Sequence, residues 1–247
     1  MWQVTAEEGQ TTIGTIKAIS FDMDGTLVHL PGRLPEDWLL HVYKRLGLQF
    51  DPEQVRQVYQ EAERLWQETI RRELGVTRAS FVAWNRLILE KLGVRQRLDE
   101  LAQQVQSAWE SQEDLLFPEV PTVLAQLQLR GLPMGITTHR FPGAIGNSLE
   151  RHGIEKYFRC IVHPQDGSTD QGKHAPKLWR QVISSLDLPA EQILHVGDDY
   201  QADLLGPRSQ GLQALLIDRY GRFAHLPAES KIKNLSELLA LITGRRL

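Results

Sequence analysis

Two textures of hydrophobic and polar residues divide this chain. A short, mostly apolar run at residues 16–21 empties directly into an acidic, glycine-bearing segment, Asp22-Met23-Asp24-Gly25-Thr26. That pattern predicts a buried strand ending in a turn. The texture then changes from about Pro35 to Leu115. Segments 35–46, 52–74, 78–92 and 98–112 place apolar residues at helical spacing, and Gly47, Gly75 and Gly93 punctuate them as helix C-terminal caps do. Four helices with no strand between them predict a small helical unit inserted after the first strand.

Beyond Phe117-Pro118 strands and helices alternate. Helices are expected at about 120–130, 142–152, 176–186, 200–210 and 236–242, and strands at 133–138, 159–163, 192–196 and 214–217. Strands separated by single helices imply an α/β fold with a doubly wound parallel sheet. The expected division is residues 1–30 and 116–247 as a Rossmann-like core, with 31–115 as an inserted helical domain. In such sheets the ligand site lies beyond the carboxyl ends of the strands.

Composition narrows the class of protein. With 247 residues, 41% hydrophobic and 24% charged, the chain reads as a globular protein with a proper core. A formal net charge of −3 and the lack of a basic stripe argue against a nucleic-acid partner. The pairs Arg71-Arg72 and Arg245-Arg246 read as solvated faces. No apolar run approaches the ~18 residues of a membrane span. Residues 1–10 contain Glu7 and Glu8 and no apolar signal region, so a reducing, cytoplasmic setting is expected. The single cysteine, Cys160, lies between apolar neighbours and reads as a small buried packing residue. Trp38, Trp66, Trp84 and Trp109 fall on the inserted helices and read as their core.

The candidate chemistry sits at strand ends. Asp22 and Asp24 leave the first strand on the same side, a costly pairing unless a cation or shared proton compensates. Mg²⁺, which takes oxygen ligands from one or two carboxylates plus a substrate phosphate, meets that need. A second acidic cluster, Gly197-Asp198-Asp199 with Asp203 one turn later, follows another apolar strand. Helix capping by Asp198 or Asp199 is the plainer account of that cluster. Thr138-His139 at a strand end can grip phosphate near a helix start. Lys173, shortly before a helix, can neutralise Asp22 and phosphoryl oxygens together, with Lys177 as its rival.

In this order, the four motifs resemble the haloacid dehalogenase superfamily over essentially the whole of residues 16–242. The helical insert resembles the cap of the family's first cap class. The resemblance implies Asp22 as nucleophile and Asp24 as general acid/base, with Thr138 and Lys173 holding the phosphoryl group. It also implies a Mg²⁺ site from Asp22, Asp198 and Asp24, the last through its backbone carbonyl. His139 stands where the family usually has Asp or Asn, His174 where it has Pro, and His29 where Asp is frequent. The roles of Asp199 and Asp203 stay open.

Because Asp24 is present, the resemblance favours phosphomonoester hydrolysis over dehalogenation, which needs no acid for a departing halide. The expected activity is Mg²⁺-dependent hydrolysis of a small phosphorylated metabolite through an aspartyl-phosphate, by a monomer or homodimer. A phosphosugar mutase and an inactive binding protein of the same fold are the alternatives. Arg33, Trp38, His41 and His139 are the candidates for substrate specificity.

Overall fold

The computed structural model describes residues 15–32, 34–111, 113–164 and 172–243. Strand β1 (Ala18–Phe21) leads through the acidic turn to β2 (Val28–His29). Five helices follow: α1 (Pro35–Arg45), α2 (Pro52–Leu65), the short α3 (Arg71–Leu74), α4 (Arg78–Lys91) and α5 (Leu98–Ser111). Strand β3 (Leu115–Leu116) then returns the chain to the core. The alternating half comprises α6 (Val120–Leu129), β4 (Met134–Thr137), α7 (Pro142–His152), β5 (Phe158–Val162) and α8 (Pro176–Leu186). It closes with β6 (Ile193–Gly197), the three-residue α9 (Gly206–Arg208), β7 (Gln213–Ile217), β8 (Lys231–Ile232) and α10 (Leu235–Thr243).

Six strands form one sheet in the order β5-β4-β1-β6-β7-β8, every neighbouring pair parallel. The chain leaves β1 towards β4 and β5, then crosses back to β6 on the other side. The topological switch point therefore lies between β1 and β6, where open α/β sheets bind ligands. Along β1 the alternation is strict. Ile19 and Phe21 join a core with Leu124, Leu127 and Leu238 on one face, while Ala18 joins Trp179 and Val182 on the other. Ser20 shares the second face, and there it is polar for a reason given below.

The helical insertion stands on a two-stranded antiparallel stem, Val28 opposite Leu116 and His29 opposite Leu115. Its helices start where their caps dictate. Asp51 accepts the Gln54 amide at 3.0 Å ahead of Pro52, and Thr77 and Ser80 bond reciprocally at the head of α4. The turns expected at Gly47 and Gly93 close as Schellman motifs, with Leu48 N–H to the Tyr43 carbonyl and Val94 N–H to the Leu89 carbonyl. The insertion has a core of its own, in which Trp38, Leu39, Val55 and Leu89 are buried. None of the described helices is long and apolar enough to cross a membrane.

Two expected helices are broken. Residues 52–74 are divided by a π-helical turn at Trp66–Ile70. The segment from Tyr200 is a π-helical turn, Tyr200–Leu205, before α9. In the second case Pro207 has no amide to offer, and Gly206 N–H reaches five residues back to the Gln201 carbonyl. The strands β2, β3 and β8 were not expected, being only two residues long. Cys160 is half-buried rather than enclosed, packed at the edge of the Trp179 cluster.

Candidate active site

Asp22 sits at the carboxyl end of β1, its amide bonded to the Val196 carbonyl at 2.9 Å, so β1 and β6 deliver Asp22 and Asp198 side by side. The Asp22 side chain is buried, and Lys173 Nζ donates to its Oδ1. The same ammonium donates to Asp203 Oδ1 at 2.8 Å. Lys173 is itself buried on the turn before α8, its carbonyl held by Trp179 Nε1 at 2.6 Å. Lys177 is exposed, so geometry assigns the contact to Lys173.

Asp203 is fully engaged. Oδ1 also meets His195 Nε2 at 3.0 Å, and Oδ2 accepts the Asp199 amide at 3.0 Å. Burial alone would raise its pKa, but Lys173 and His195 outweigh burial and hold it below the ordinary carboxylate range. With Asp203 ionised, His195 Nε2 carries the proton and Nδ1 accepts from Ser20 Oγ at 3.1 Å. Ser20 in turn accepts from Thr137 at 2.6 Å. This explains the polar inner face of β1. A hydroxyl, an imidazole and a carboxylate run beneath the catalytic floor with each partner satisfied. Burial lowers the His195 pKa, so the ring stays neutral.

Asp22 and Asp198 are the members of the group whose cationic partners, Lys173 and Arg222, do not outweigh burial. Burial, with help from Asp203 and Asp24 and against the pull of Lys173, pushes Asp22 up to about 7. Burial, then Asp22 and Asp203, push Asp198 well above its usual value. Carboxylate oxygens of Asp22, Asp198 and Asp203 lie within 4.8 Å of one another. A small hard cation needs about that: oxygens at 2.0–2.1 Å from Mg²⁺ stand roughly 3–4 Å apart. The donor set is all oxygen and electron-rich, so the residues fit a divalent cation. Two glycines make the cluster possible. A Cβ on Gly25 would lie 2.3 Å from Asp198 Oδ2, and one on Gly197 would lie 2.3 Å from Asp203 Cγ.

The Asp24 carboxylate lies apart from that cluster. Arg140 holds it with Nε at 2.8 Å and Nη2 at 2.5 Å, while Nη1 reaches Asp114 at 2.5 Å. Asp114 is buried and also bonds Ser148, Arg151 and His152. Burial alone would raise its pKa, but Arg140 foremost draws it below the ordinary value. On the other side of the loop, Arg219 donates to the Gly25 and Thr26 carbonyls and pairs with Glu119 at 2.7 Å. Sequence reading missed Arg140, Asp114, Arg219 and His195. A histidine within the otherwise apolar β6, buried on both faces, was the available signal for His195. Nothing local marks the other three.

Above these groups opens a cavity of about 350 Å³ between core and insertion, bordered by Asp22, Asp24, Thr138, His139, Lys173 and Asp198. Buried Thr138 accepts the Arg140 amide at 3.2 Å. His139 Nε2 accepts the Lys173 amide at 2.9 Å, which fixes the lysine turn. Asp199 caps the following turn through the Ala202 amide at 2.7 Å. His29 borders the cavity at the stem, and the half-buried His174 has its ring 6.3 Å from that of His139. Two specificity candidates fall elsewhere: Trp38 is packed on Trp109 at 4.1 Å within the cap core, and His41 is on the exposed face of α1. The helical turn that buries Trp38 carries both away from the opening. Arg33 lies outside the described residues.

The family model for haloacid dehalogenase-like hydrolases matches residues 16–211. The chain belongs to this hydrolase family. Among curated relatives, the ribulose-1,5-bisphosphate 5-phosphatase of Halopiger xanaduensis is 29% identical over 81% of this chain and 84% of its own. A phosphoglycolate phosphatase of Photorhabdus laumondii is 28% identical over 92% of each. Among solved structures, the magnesium-bound HAD-hydrolase YfnB of Bacillus subtilis superposes with a TM-score of 0.71 at 19% identity, covering 92% of this chain and 99% of that one. As a haloacid dehalogenase-like hydrolase, the chain carries its helical insertion between β1 and β4, as the first cap class does.

Proposed function

We propose that this hydrolase cleaves a small phosphomonoester by attack of Asp22 on phosphorus, with residues 31–115 acting as the cap over a core of 1–30 and 116–247. The observation that carries the reading is the position of Asp22. It is buried at the switch point, one oxygen held by Lys173, among acids that suit a cation, and it opens on the cavity. Lys173 orients one carboxylate oxygen and leaves the other to attack in line. The carboxylate is a modest nucleophile but a good leaving group from phosphorus, so one hard displacement becomes two easier ones.

Asp24 is half-exposed at the mouth of the same cavity and supplies the proton to the departing alcohol. It then takes a proton from the water that opens the aspartyl-phosphate. Arg140 fixes where that carboxylate stands between turnovers. The Thr138 hydroxyl and the Lys173 ammonium receive the phosphoryl oxygens as negative charge gathers on them. Mg²⁺ held by Asp22 and Asp198 would neutralise carboxylate and phosphoryl charge. The phosphatase names of relatives matched over most of their length support this reading, and a reducing cytoplasmic setting suits the lone cysteine.

The test is phosphate release from a panel of phosphorylated metabolites, with and without Mg²⁺, for wild type and Asp22→Asn. Metal-dependent release that disappears in the variant is expected. Undiminished release by Asp22→Asn would remove the nucleophile from the scheme.

A further inference from the structure

We infer that the cap half of the cavity selects a leaving alcohol with a flat apolar body and no second anionic group; this rests on the hydrolytic reading above. The two halves of the cavity differ in kind. The core contributes the cations Lys173, Arg140 and Arg222, and each already has a carboxylate partner. Lys173 lies between Asp22 and Asp203, Arg140 between Asp24 and Asp114, and Arg222 reaches Asp198 at 3.3 Å. The cap contributes rings: Tyr59 from α2, Trp66 from the π-helical turn, Phe81 and Trp84 from α4, and Trp109 from α5.

Four of these rings meet in two pairs. Tyr59 meets Trp84 edge-on at 5.3 Å, and Trp66 stacks on Phe81 at 5.5 Å. Phe81 also meets Phe141 of the core edge-on at 6.1 Å, so the second pair continues onto a ring of the core. Such a surface recognises a planar apolar body by ring contact and by exclusion of water.

Charge on the cap side points the same way. Among the described residues, the cap helices place no lysine or arginine on the cavity. Their polar lining groups are Glu63, Gln106 and Glu110. Arg78, the partner of Glu110 at 2.9 Å, is not part of the lining. A carboxylate or second phosphate on the leaving group would meet acidic side chains and, among the described residues, no cap cation to pair with, an arrangement that selects against it. A hydroxyl or amide on an aromatic body would find acceptors there. The two phosphatases reported above are named for substrates that carry a second acidic group, so this cap would divide the present chain from them.

The experiment compares kcat/KM for 2-phenylethyl phosphate and 2-phosphoglycolate with the full chain and Mg²⁺. Both have alkyl leaving groups, so intrinsic reactivity does not mimic recognition. Preference for the phenylethyl ester by about tenfold or more is expected. Phe81→Leu should erode that preference through KM for the aromatic ester. Glu63→Lys should erode it by raising kcat/KM for phosphoglycolate. Competitive inhibition of wild type by 2-phenylethanol, with none by glycolate, gives the same answer without a variant. Equal or better use of phosphoglycolate by wild type, with Asp22→Asn inactive, overturns the substrate class and leaves hydrolysis standing. No release from either ester by wild type overturns both.

Discussion

Arg140 closes on Asp24 through two parallel bonds, Nε to Oδ2 at 2.8 Å and Nη2 to Oδ1 at 2.5 Å, across 116 residues of sequence. Its third nitrogen is on buried Asp114, at the point where the chain re-enters the core from the cap. The residue proposed as general acid/base is thus tied through one guanidinium to the base of the cap stem. Arg140→Gln should release Asp24 and leave Asp114 with Ser148, Arg151 and His152. Asp24 is half-exposed, so its share is small, and the Asp114 side dominates. We expect a stability loss of ~2 kcal/mol by urea unfolding and a fall in kcat of about tenfold or more. An unaltered kcat would show that Arg140 has no hold on the acid.

Lys173 compensates two buried acids at once. Removing it by Lys173→Met leaves Asp22 and Asp203 facing each other without a cation. The expected cost is ~3–5 kcal/mol in the metal-free protein. Activity should drop by about 10²–10³-fold, since the phosphoryl oxygens lose their ammonium as well. Lys177→Met, altering an exposed side chain, should change neither quantity. Equal losses for the two variants would return the lysine assignment to the open state in which the sequence left it.

Much of this was legible in the sequence because its signals are local. The Ile19/Phe21 alternation, the caps at Asp51 and Thr77 and the acidic turn after β1 each depend on residues a few positions apart. The strand ends placed Asp22, Thr138, Lys173 and Asp198 around one opening, as the parallel sheet requires. What escaped is long-range. Asp114 gathers Arg140, Ser148, Arg151 and His152 only once the cap stem has closed. Trp38 is near the catalytic turn in sequence, yet α1 rotates it into the cap core. The cavity rings come instead from α2, the π-helical turn after it, α4 and α5.

Metal and protons compete for the same acids. Asp22 rises to about 7 in the folded protein from 3.8, and Asp198 rises too, so the fold binds protons that the unfolded chain has released. Without metal, these groups add stability below about pH 4, and that contribution is lost as pH rises towards about 7. A divalent cation replaces the protons and removes the loss. The Mg²⁺-induced rise in Tm should therefore grow between about pH 5 and about pH 8. Asp203 runs the other way: its lowered pKa gives stability above its unfolded value that is lost in acid, with or without metal. A Tm shift independent of pH would mean that Asp22 and Asp198 do not take up the ion.

His195 is the deepest element of the site and touches no space open to substrate. Its neutral ring donates to Asp203 and accepts from Ser20, and Trp179 packs edge-on against it at 4.8 Å. Asp203 can then present a fixed oxygen to Lys173, which in turn fixes Asp22. His195→Leu keeps the volume roughly constant but takes one hydrogen-bond partner each from the Asp203 carboxylate and the Ser20 hydroxyl. Each lost partner costs ~1–3 kcal/mol, the carboxylate more. His195→Gln restores one donor and one acceptor in nearly the same places, so it should recover part of both stability and kcat. Because the effect is transmitted through Lys173 and not through the cavity wall, KM should move little while kcat falls. The deciding measurement is the pair of kcat and KM for His195→Leu and His195→Gln at equal fractions folded. A change confined to KM would place His195 outside the line from Ser20 to Asp22.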